Sequence, residues 1–355
     1  MHAIVDAARA RLDGEVWDYV AGAAETETTA RRNRLGIDSL ALRPRVLRDV
    51  SDIDPRGSLL GHALRIPVVL APLGAVELLT PEGGVAAARA AERCGLIAVA
   101  SSVAEPSLEA VAAASSAPKA AQLYIRGDPA WADALIDRVT AAGFAAITLT
   151  VDSACYSHRE RQMRADWIPP SHRELLVDFS WQARLDWDWL DRMRERTTLP
   201  FALKGIQTAQ DAEIALEHGI EVIWVSNHGG RQLDHAQSTI DTLREVVDAV
   251  GRRAEIVVDG GFMRGTDVLK AVALGADAVA LGRFQGIALA AGGEPVLVRA
   301  LELLEAEIRT SMGLLGVSRL QELDASFVSR AAPMPAASSL LAAYPAVDSD
   351  WPQLP

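Results

Sequence analysis

From residue 65 onward the chain repeats one rhythm: a short, almost wholly apolar run, then a stretch with helical periodicity. The apolar runs fall at 66–73, 96–101, 120–125, 145–151, 201–204, 222–226, 255–258 and 277–281. Parallel strands are buried on both faces, so they read as continuous runs rich in Val and Ile rather than as alternation. Helical patterns fill the gaps at 82–94, 107–114, 129–142, 183–196, 208–218, 238–250, 266–274 and 295–312. Thr80 before Pro81-Glu82, Asp128-Pro129, and Thr208 before Asp211 are helix-start signals. Gly95, Gly143, Gly219 and Gly275 stand at or just past helix ends, where the chain favours a residue with positive φ. Eight strands alternating with eight helices predict an α/β fold of the (β/α)8, or TIM-barrel, type. The alternative with the same alternation is a doubly wound open sheet. It usually has fewer strands and opens with GxGxxG after the first strand, and no such motif stands there.

The flanks are organised differently. Residues 1–64 predict an N-terminal helical extension: one helix over 7–20, another over 25–35, an extended stretch at 40–44, and a small hairpin at 57–64 beside the barrel mouth. The barrel is expected over 65–330. Its longest loop, 156–182, is dense in charge, and loops of that length in compact domains are often functional. The tail 331–355, rich in Ala, Pro and Ser, is expected to fray or wrap a neighbour.

Composition narrows the class of function. With 35 Lys+Arg against 47 Asp+Glu the net charge is −12, the wrong sign for a general nucleic-acid binder. Half of the residues are apolar and 23% are charged, the mix of an ordinary globular protein. Two cysteines, Cys94 and Cys155, give neither a disulfide framework nor a metal quartet. The start lacks a leader-like pattern, and no apolar run approaches the ~20 residues of a membrane span. The expectation is a cytoplasmic protein without a membrane span.

Barrels of this kind build their sites at the C-terminal ends of the strands. Applied blind, that rule gathers Gln122 and Tyr124 after the third strand, then Thr150, Asp152 and Arg159 after the fourth. Lys204 ends the fifth, and Ser226-Asn227-His228 with Arg231 follows the sixth. Asp259-Gly260-Gly261 ends the seventh and Gly282-Arg283 the eighth. Taken singly, a strand-end Lys is a snorkelling surface residue and Asp-Gly-Gly is a turn. Together they crowd charge into one end of a barrel, which is costly without a charged ligand. The glycines after strands seven and eight suit a phosphate.

The run Ser226-Asn227-His228-Gly229-Gly230-Arg231-Gln232-Leu233-Asp234 resembles the active-site signature of the FMN-dependent α-hydroxy-acid oxidases and dehydrogenases. That family includes glycolate oxidase, lactate oxidase and mandelate dehydrogenase. The likeness also covers Tyr19-Val20-Ala21-Gly22-Ala23, Gln122-Leu123-Tyr124, Thr150-Val151-Asp152, Leu203-Lys204-Gly205 and Leu281-Gly282-Arg283, over roughly residues 10–325.

The resemblance implies FMN in a catalytic barrel. Pro72, Leu73 and Gly74 would pack on the flavin ring, with Ser101, Gln122, Thr150 and Ser226 on its edge and ribityl chain. Lys204 would offset negative charge on reduced flavin. Asp259, Gly260, Gly261, Arg264, Gly282 and Arg283 would surround the phosphate. His228 is the expected base, oriented by Asp152. Arg159, Arg231 and Tyr19 would hold the substrate carboxylate, and Tyr124 would stand at the reacting oxygen.

The implied reaction is oxidation of an L-2-hydroxy acid to a 2-keto acid by hydride transfer to flavin N5. Oxygen, a quinone or a protein would take the electrons, and the protein would be a homotetramer. The alternative is a related flavin enzyme acting on an amine or a specialised biosynthetic intermediate; a retired, non-catalytic barrel has no need of these side chains together.

Three departures stand out. Met263 occupies the place where family members commonly carry Arg, with Arg264 following. Gly74 replaces a common Ala, and Val103 replaces the bulky aromatic of glycolate-oxidising relatives. The last two predict a pocket for a bulky or aromatic substrate of the mandelate type.

Overall fold

The computed structural model describes residues 1–170 and 180–332. Eight parallel strands close into a barrel: β1 (Val68–Leu70), β2 (Ile97–Ser101), β3 (Lys119–Leu123), β4 (Ala146–Thr150), β5 (Phe201–Ile206), β6 (Val222–Val225), β7 (Glu255–Val258) and β8 (Ala278–Leu281). Neighbours in sequence are neighbours in the barrel. It is closed by β8 on β1, with Val279 opposite Val68. One set of side chains, including Val69, Val99, Ala120, Ala146, Ala202 and Trp224, fills the barrel interior. The alternate set, including Val68, Leu70, Leu123, Leu149 and Val258, packs outward beneath the helices. Each barrel strand therefore buries both faces, which is why its sequence shows no alternation.

The helices form where their caps predict. Asp128 accepts from the Trp131 amide at 2.9 Å at the start of Pro129–Ala141, and Thr208 accepts from Asp211 at 3.1 Å at the start of Ala209–Glu217. Gly95 and Gly275 adopt φ of 62° and 106° beyond their helices.

Three expectations need correction. The single helix over 7–20 is two helices, α1 (His2–Arg11) and α2 (Gly14–Ala21), because Leu12 and Asp13 are extended between them. The bend lets α1 pack on the last helix, Arg283–Leu315, while α2 carries Tyr19 to the barrel mouth. The stretch 183–196 likewise divides into Ser180–Ala183 and Trp187–Glu195, the second capped by Asp186.

The hairpin, Gly57–Leu59 with His62–Leu64, lies at the opposite end from the mouth. Its Leu59 and Leu64 plug the barrel floor, and the Leu60 amide donates to Glu255, the first residue of β7, at 2.6 Å. Apolar side chains on both hairpin strands make the floor the place that removes them from water.

The N-terminal segment is tied to the rest at several points. Helix α3 (Thr28–Asp38) is clamped by Arg34, whose buried guanidinium grips Asp267 at 2.7 and 3.0 Å and also pairs with Asp38. The strand Leu40–Leu42 pairs antiparallel with Val328–Arg330. The last helix is broken at Gly292–Gly293, so its first part, from Arg283, is a separate piece opening at the barrel mouth. Of the tail expected over 331–355, all but Ala331 and Ala332 lies outside the described residues.

Candidate active site

The ends of all eight strands converge on one cavity of ≈ 1480 Å³, counting its open mouth. Its wall includes Tyr19 from α2, Pro72–Gly74 after β1, Val103 after β2, Tyr124 after β3, Lys204 on β5 and His228 after β6.

His228 is held in an unusual backbone conformation, with φ of 58°. Its amide donates to Ser226 Oγ at 3.1 Å. The next turn is fixed from outside the barrel. Asn227 exchanges side-chain hydrogen bonds with Asn33 of α3 at 2.9 and 2.8 Å, and Asp234 accepts from the Thr29 amide at 2.8 Å. The N-terminal extension thereby shapes the loop that carries His228.

The imidazole stands between Asp152 and Tyr124. Nδ1 lies 3.0 and 3.2 Å from the Asp152 carboxylate oxygens, and Nε2 lies 3.3 Å from the Tyr124 hydroxyl. A carboxylate only accepts, so Nδ1 carries the proton and Nε2 keeps its lone pair. The basic nitrogen therefore faces the cavity. Lys204 Nζ is 3.2 Å from Ser226 Oγ and 3.4 Å from Nδ1, and it lies 3.8 Å from Asp259 Oδ2. With Nδ1 already a donor, that lysine acts on the ring by charge rather than as a hydrogen-bond donor.

Gly205 makes this arrangement possible. It takes φ of 126° at an irregularity in the pairing of β5 with β6, and a Cβ there would stand 2.7 Å from Asp152 Cβ.

Burial, reinforced by the Lys204 charge, lowers the His228 pKa from its ordinary value of 6.5 despite the opposing pull of Asp152. Burial opposes the Asp152 charge too, but His228 and Lys204 outweigh it and hold the carboxyl below its usual range. Burial, with Asp152 nearby, pushes the Tyr124 hydroxyl up, so it stays protonated and donates to Nε2.

Three guanidinium groups gather around the same cavity. Arg159 is buried, lies 4.5 Å above the Tyr156 ring and donates to its hydroxyl at 3.2 Å. Arg231 lies 4.7 Å from the Tyr19 ring and donates to the carbonyls of Tyr19 and Gly22. Arg283 donates to the carbonyls of Val20, Gly229 and Gly22 at 3.0, 2.8 and 2.8 Å. None of the three pairs with a carboxylate among the described residues. Burial together with the neighbouring guanidinium groups depresses Arg231 to about 10 and Arg283 to about 9. The cluster thus holds three guanidinium groups that carbonyls and hydroxyls satisfy in part, with no ion-pair partner among the described residues.

A polar ladder runs deeper. Ser101 donates to Gln122 at 2.6 Å, and Gln122 donates to Thr150 at 2.9 Å. Trp224 and Ser226 both donate to Asp259, at 3.0 and 2.8 Å. Gln122, Thr150, Asp259, Gly260, Gly261 and Gly282 line the cavity; Ser101, Ser226 and Asp152 stand directly behind lining residues.

Arg264 departs from the expected placement. It caps the helix Gly265–Ala273, and its guanidinium meets Glu307 at 2.7 Å instead of lining the cavity. His158 and Cys155 are exposed. Gln182 was not legible in the sequence. It accepts from the Ile125 amide at 2.7 Å and donates to the Thr150 carbonyl at 2.8 Å, joining the ends of β3 and β4.

A flavin mononucleotide fits these residues. A Cβ at Gly282 would meet no protein atom within 4 Å, so the space before the β8 turn is open cradle. Lysine and guanidinium groups stand within the cavity to meet an anion. The model for FMN-dependent dehydrogenases matches residues 8–330. The chain belongs to that family.

Among its relatives, an L-lactate oxidase of Nostoc sp. is 38% identical over 347 residues, covering 90% of this chain and 95% of that protein. A glycolate oxidase of Spinacia oleracea is 36% identical, covering 90% and 93%. A solved structure of mandelate oxidase with (S)-2-phenylpropionate superposes with a TM-score of 0.85 at 37% identity, covering 92% of this chain and 97% of that one. The protein is thus an FMN-dependent enzyme of the hydroxy-acid oxidase and dehydrogenase class. Among the described residues no helix is long and apolar enough to cross a membrane.

The depressed pKa of His228 sets an expected pH profile. If the neutral imidazole is the base, kcat/KM is expected to hold as pH falls until the ring protonates, below its ordinary 6.5. In Lys204→Met the charge that lowers His228 is gone, and the acid limb moves to higher pH. A wild-type limb centred above 6.5, or one unmoved by Lys204→Met, would contradict the assignment.

Proposed function

We propose that this enzyme oxidises an L-2-hydroxy acid with a side chain larger than methyl, of the mandelate type, to the 2-keto acid. The observation that carries this reading is the single cavity onto which His228 Nε2, Tyr124, Arg159 and Arg231 all open.

In this reading the substrate carboxylate replaces the missing anion between Arg231 and Arg159. Two planar forks suit a carboxylate better than point charges do. Tyr19, whose hydroxyl donates its one proton to the Gly74 carbonyl at 2.9 Å, stands beside Arg231 and would turn that proton from the carbonyl to the substrate carboxylate. His228 Nε2 takes the substrate hydroxyl proton. Asp152 stabilises the imidazolium that results, and Tyr124 steadies the oxygen. FMN, when bound, supplies the acceptor for the electron pair of the substrate Cα–H bond, as a hydride to N5. Lys204, 4% exposed, places its positive charge next to the catalytic pair and offsets negative charge arriving in the cavity.

The size preference rests on one wall. Gly74 and Val103 both line the cavity. The Ala75 amide donates to the Val103 carbonyl at 3.1 Å, so the two segments are joined. Tyr156 lines the same cavity and is engaged beneath Arg159. Each additional buried methylene adds about 0.8 kcal/mol until the space is filled.

The test is kcat/KM along glycolate, lactate, 2-hydroxyisocaproate and mandelate. The expected order rises with size, and 2-hydroxy amides are poor substrates. A steady fall with size would refute the pocket, and an amide as good as its acid would refute the carboxylate site.

A cytoplasmic homotetramer completes the proposal. Light scattering at micromolar concentration is expected to show the assembly, and monomer alone would count against it.

A further inference from the structure

Among the described residues, Trp224 is the one aromatic side chain in the apolar cluster that fills the barrel interior. It stands on β6, in register with Lys204 of β5 and Val257 of β7. Its ring lines a small floor cavity together with Leu59 and Leu60 of the hairpin. Packing accounts for the ring but not for its N–H, which a buried indole must spend on an acceptor. The acceptor is Asp259 Oδ2 at 3.0 Å, on a residue that lines the active-site cavity above.

The other oxygen of that carboxylate, Oδ1, accepts from Ser226 Oγ at 2.8 Å. With its proton given to Asp259, Ser226 Oγ accepts from Lys204 Nζ at 3.2 Å and from the His228 amide at 3.1 Å. Lys204 Nζ itself lies 3.8 Å from Asp259 Oδ2, outside hydrogen-bond distance. Opposite charges this close in a buried place attract strongly, and a charge-assisted bond near ~2.8 Å is their usual end. Two anchors, one on each carboxylate oxygen, hold Asp259 short of it. An ammonium has three N–H groups. Among the described residues Ser226 Oγ is the one oxygen within reach of Nζ, and His228 Nδ1 at 3.4 Å is already a donor. Two N–H groups are left for the cavity that Lys204 lines.

We infer that Trp224 is a positioning residue for Lys204: with Ser226 it anchors the Asp259 carboxylate short of the ammonium and leaves the charge of the lysine directed into the cavity. The inference rests on FMN as the cofactor and on Lys204 as the group that offsets negative charge on the reduced ring. Without the indole N–H, Asp259 Oδ2 loses its donor and takes Nζ instead. An ammonium in contact with a carboxylate does less for an anionic ring, so the reduced state is destabilised and the potential falls.

The experiment measures the two-electron midpoint potential of the FMN-loaded enzyme without substrate, by equilibration with a reference dye. Trp224→Phe keeps an aromatic ring in the barrel and removes the donor. It is expected to lower the potential by ~15–30 mV, a three- to tenfold shift in the two-electron equilibrium. Lys204→Met is expected to lower the potential further. In that background Trp224→Phe is expected to change nothing, because the group it positions is gone. Melting temperature is read alongside. A purely structural role of the ring would lower it in Trp224→Phe and leave the potential where it was.

A folded Trp224→Phe protein with the wild-type potential would overturn the inference. So would an equal fall in the Lys204→Met background, since the effect would then bypass the lysine. If Trp224→Phe does not fold, Ser226→Ala decides the matter: it releases the other carboxylate oxygen and the acceptor of Nζ, a lower potential is expected, and an unchanged one would overturn the inference. A Lys204→Met protein with the wild-type potential would remove the charge that Trp224 positions, and the inference with it.

Discussion

Three guanidinium groups, Arg159, Arg231 and Arg283, share one largely buried space, and none of them pairs with a carboxylate among the described residues. Like charges so placed repel, and burial deprives them of water. The fold offsets this with carbonyl oxygens from Tyr19, Val20, Gly22 and Gly229. Those carbonyls belong to the end of α2 and the turn after β6. The same contacts therefore pin the N-terminal extension over the barrel mouth and define the catalytic loop. Carbonyls are partial charges, and a full anion is still wanted. In the proposed reading, the carboxylate of an acidic substrate supplies that anion.

The catalytic pair depends on a second constraint, the close approach of β4 and β5. Asp152 reaches His228 because Gly205 leaves room beside it. The imidazole then has only one way to carry its proton, with Nε2 left basic toward the cavity. Lys204 and burial keep it neutral, and Asp152 is ready to stabilise the charge when it forms. A base poised in this way needs no rearrangement at the moment of reaction.

Much of this was legible in the sequence because it is local. Continuous apolar runs gave the eight strands, and the strand-end rule brought His228, Lys204, Tyr124 and the arginines to one place without any knowledge of contacts. What escaped was set by partners far along the chain. Arg264 reads as a phosphate ligand until Glu307, forty-three residues later, is seen to hold it. The break at Leu12–Asp13 is hidden because apolar spacing continues across it, while the bend is imposed by the separate destinations of α1 and α2. The hairpin at the floor is placed by Leu59, Leu64 and Glu255, which no spacing relates. Gln182 carries no pattern at all; its role comes from a backbone group just after β3 and another at the end of β4.

The central claim is that His228 removes the substrate proton in a cavity organised for a carboxylate. The most direct measurement is the rate of flavin bleaching under nitrogen when the FMN-loaded enzyme is mixed with a 2-hydroxy acid, for wild type and for His228→Ala. The account predicts that the variant keeps its flavin and still binds the acid, while bleaching slows by about 10²–10⁴-fold. Bleaching at a near wild-type rate in His228→Ala would contradict it.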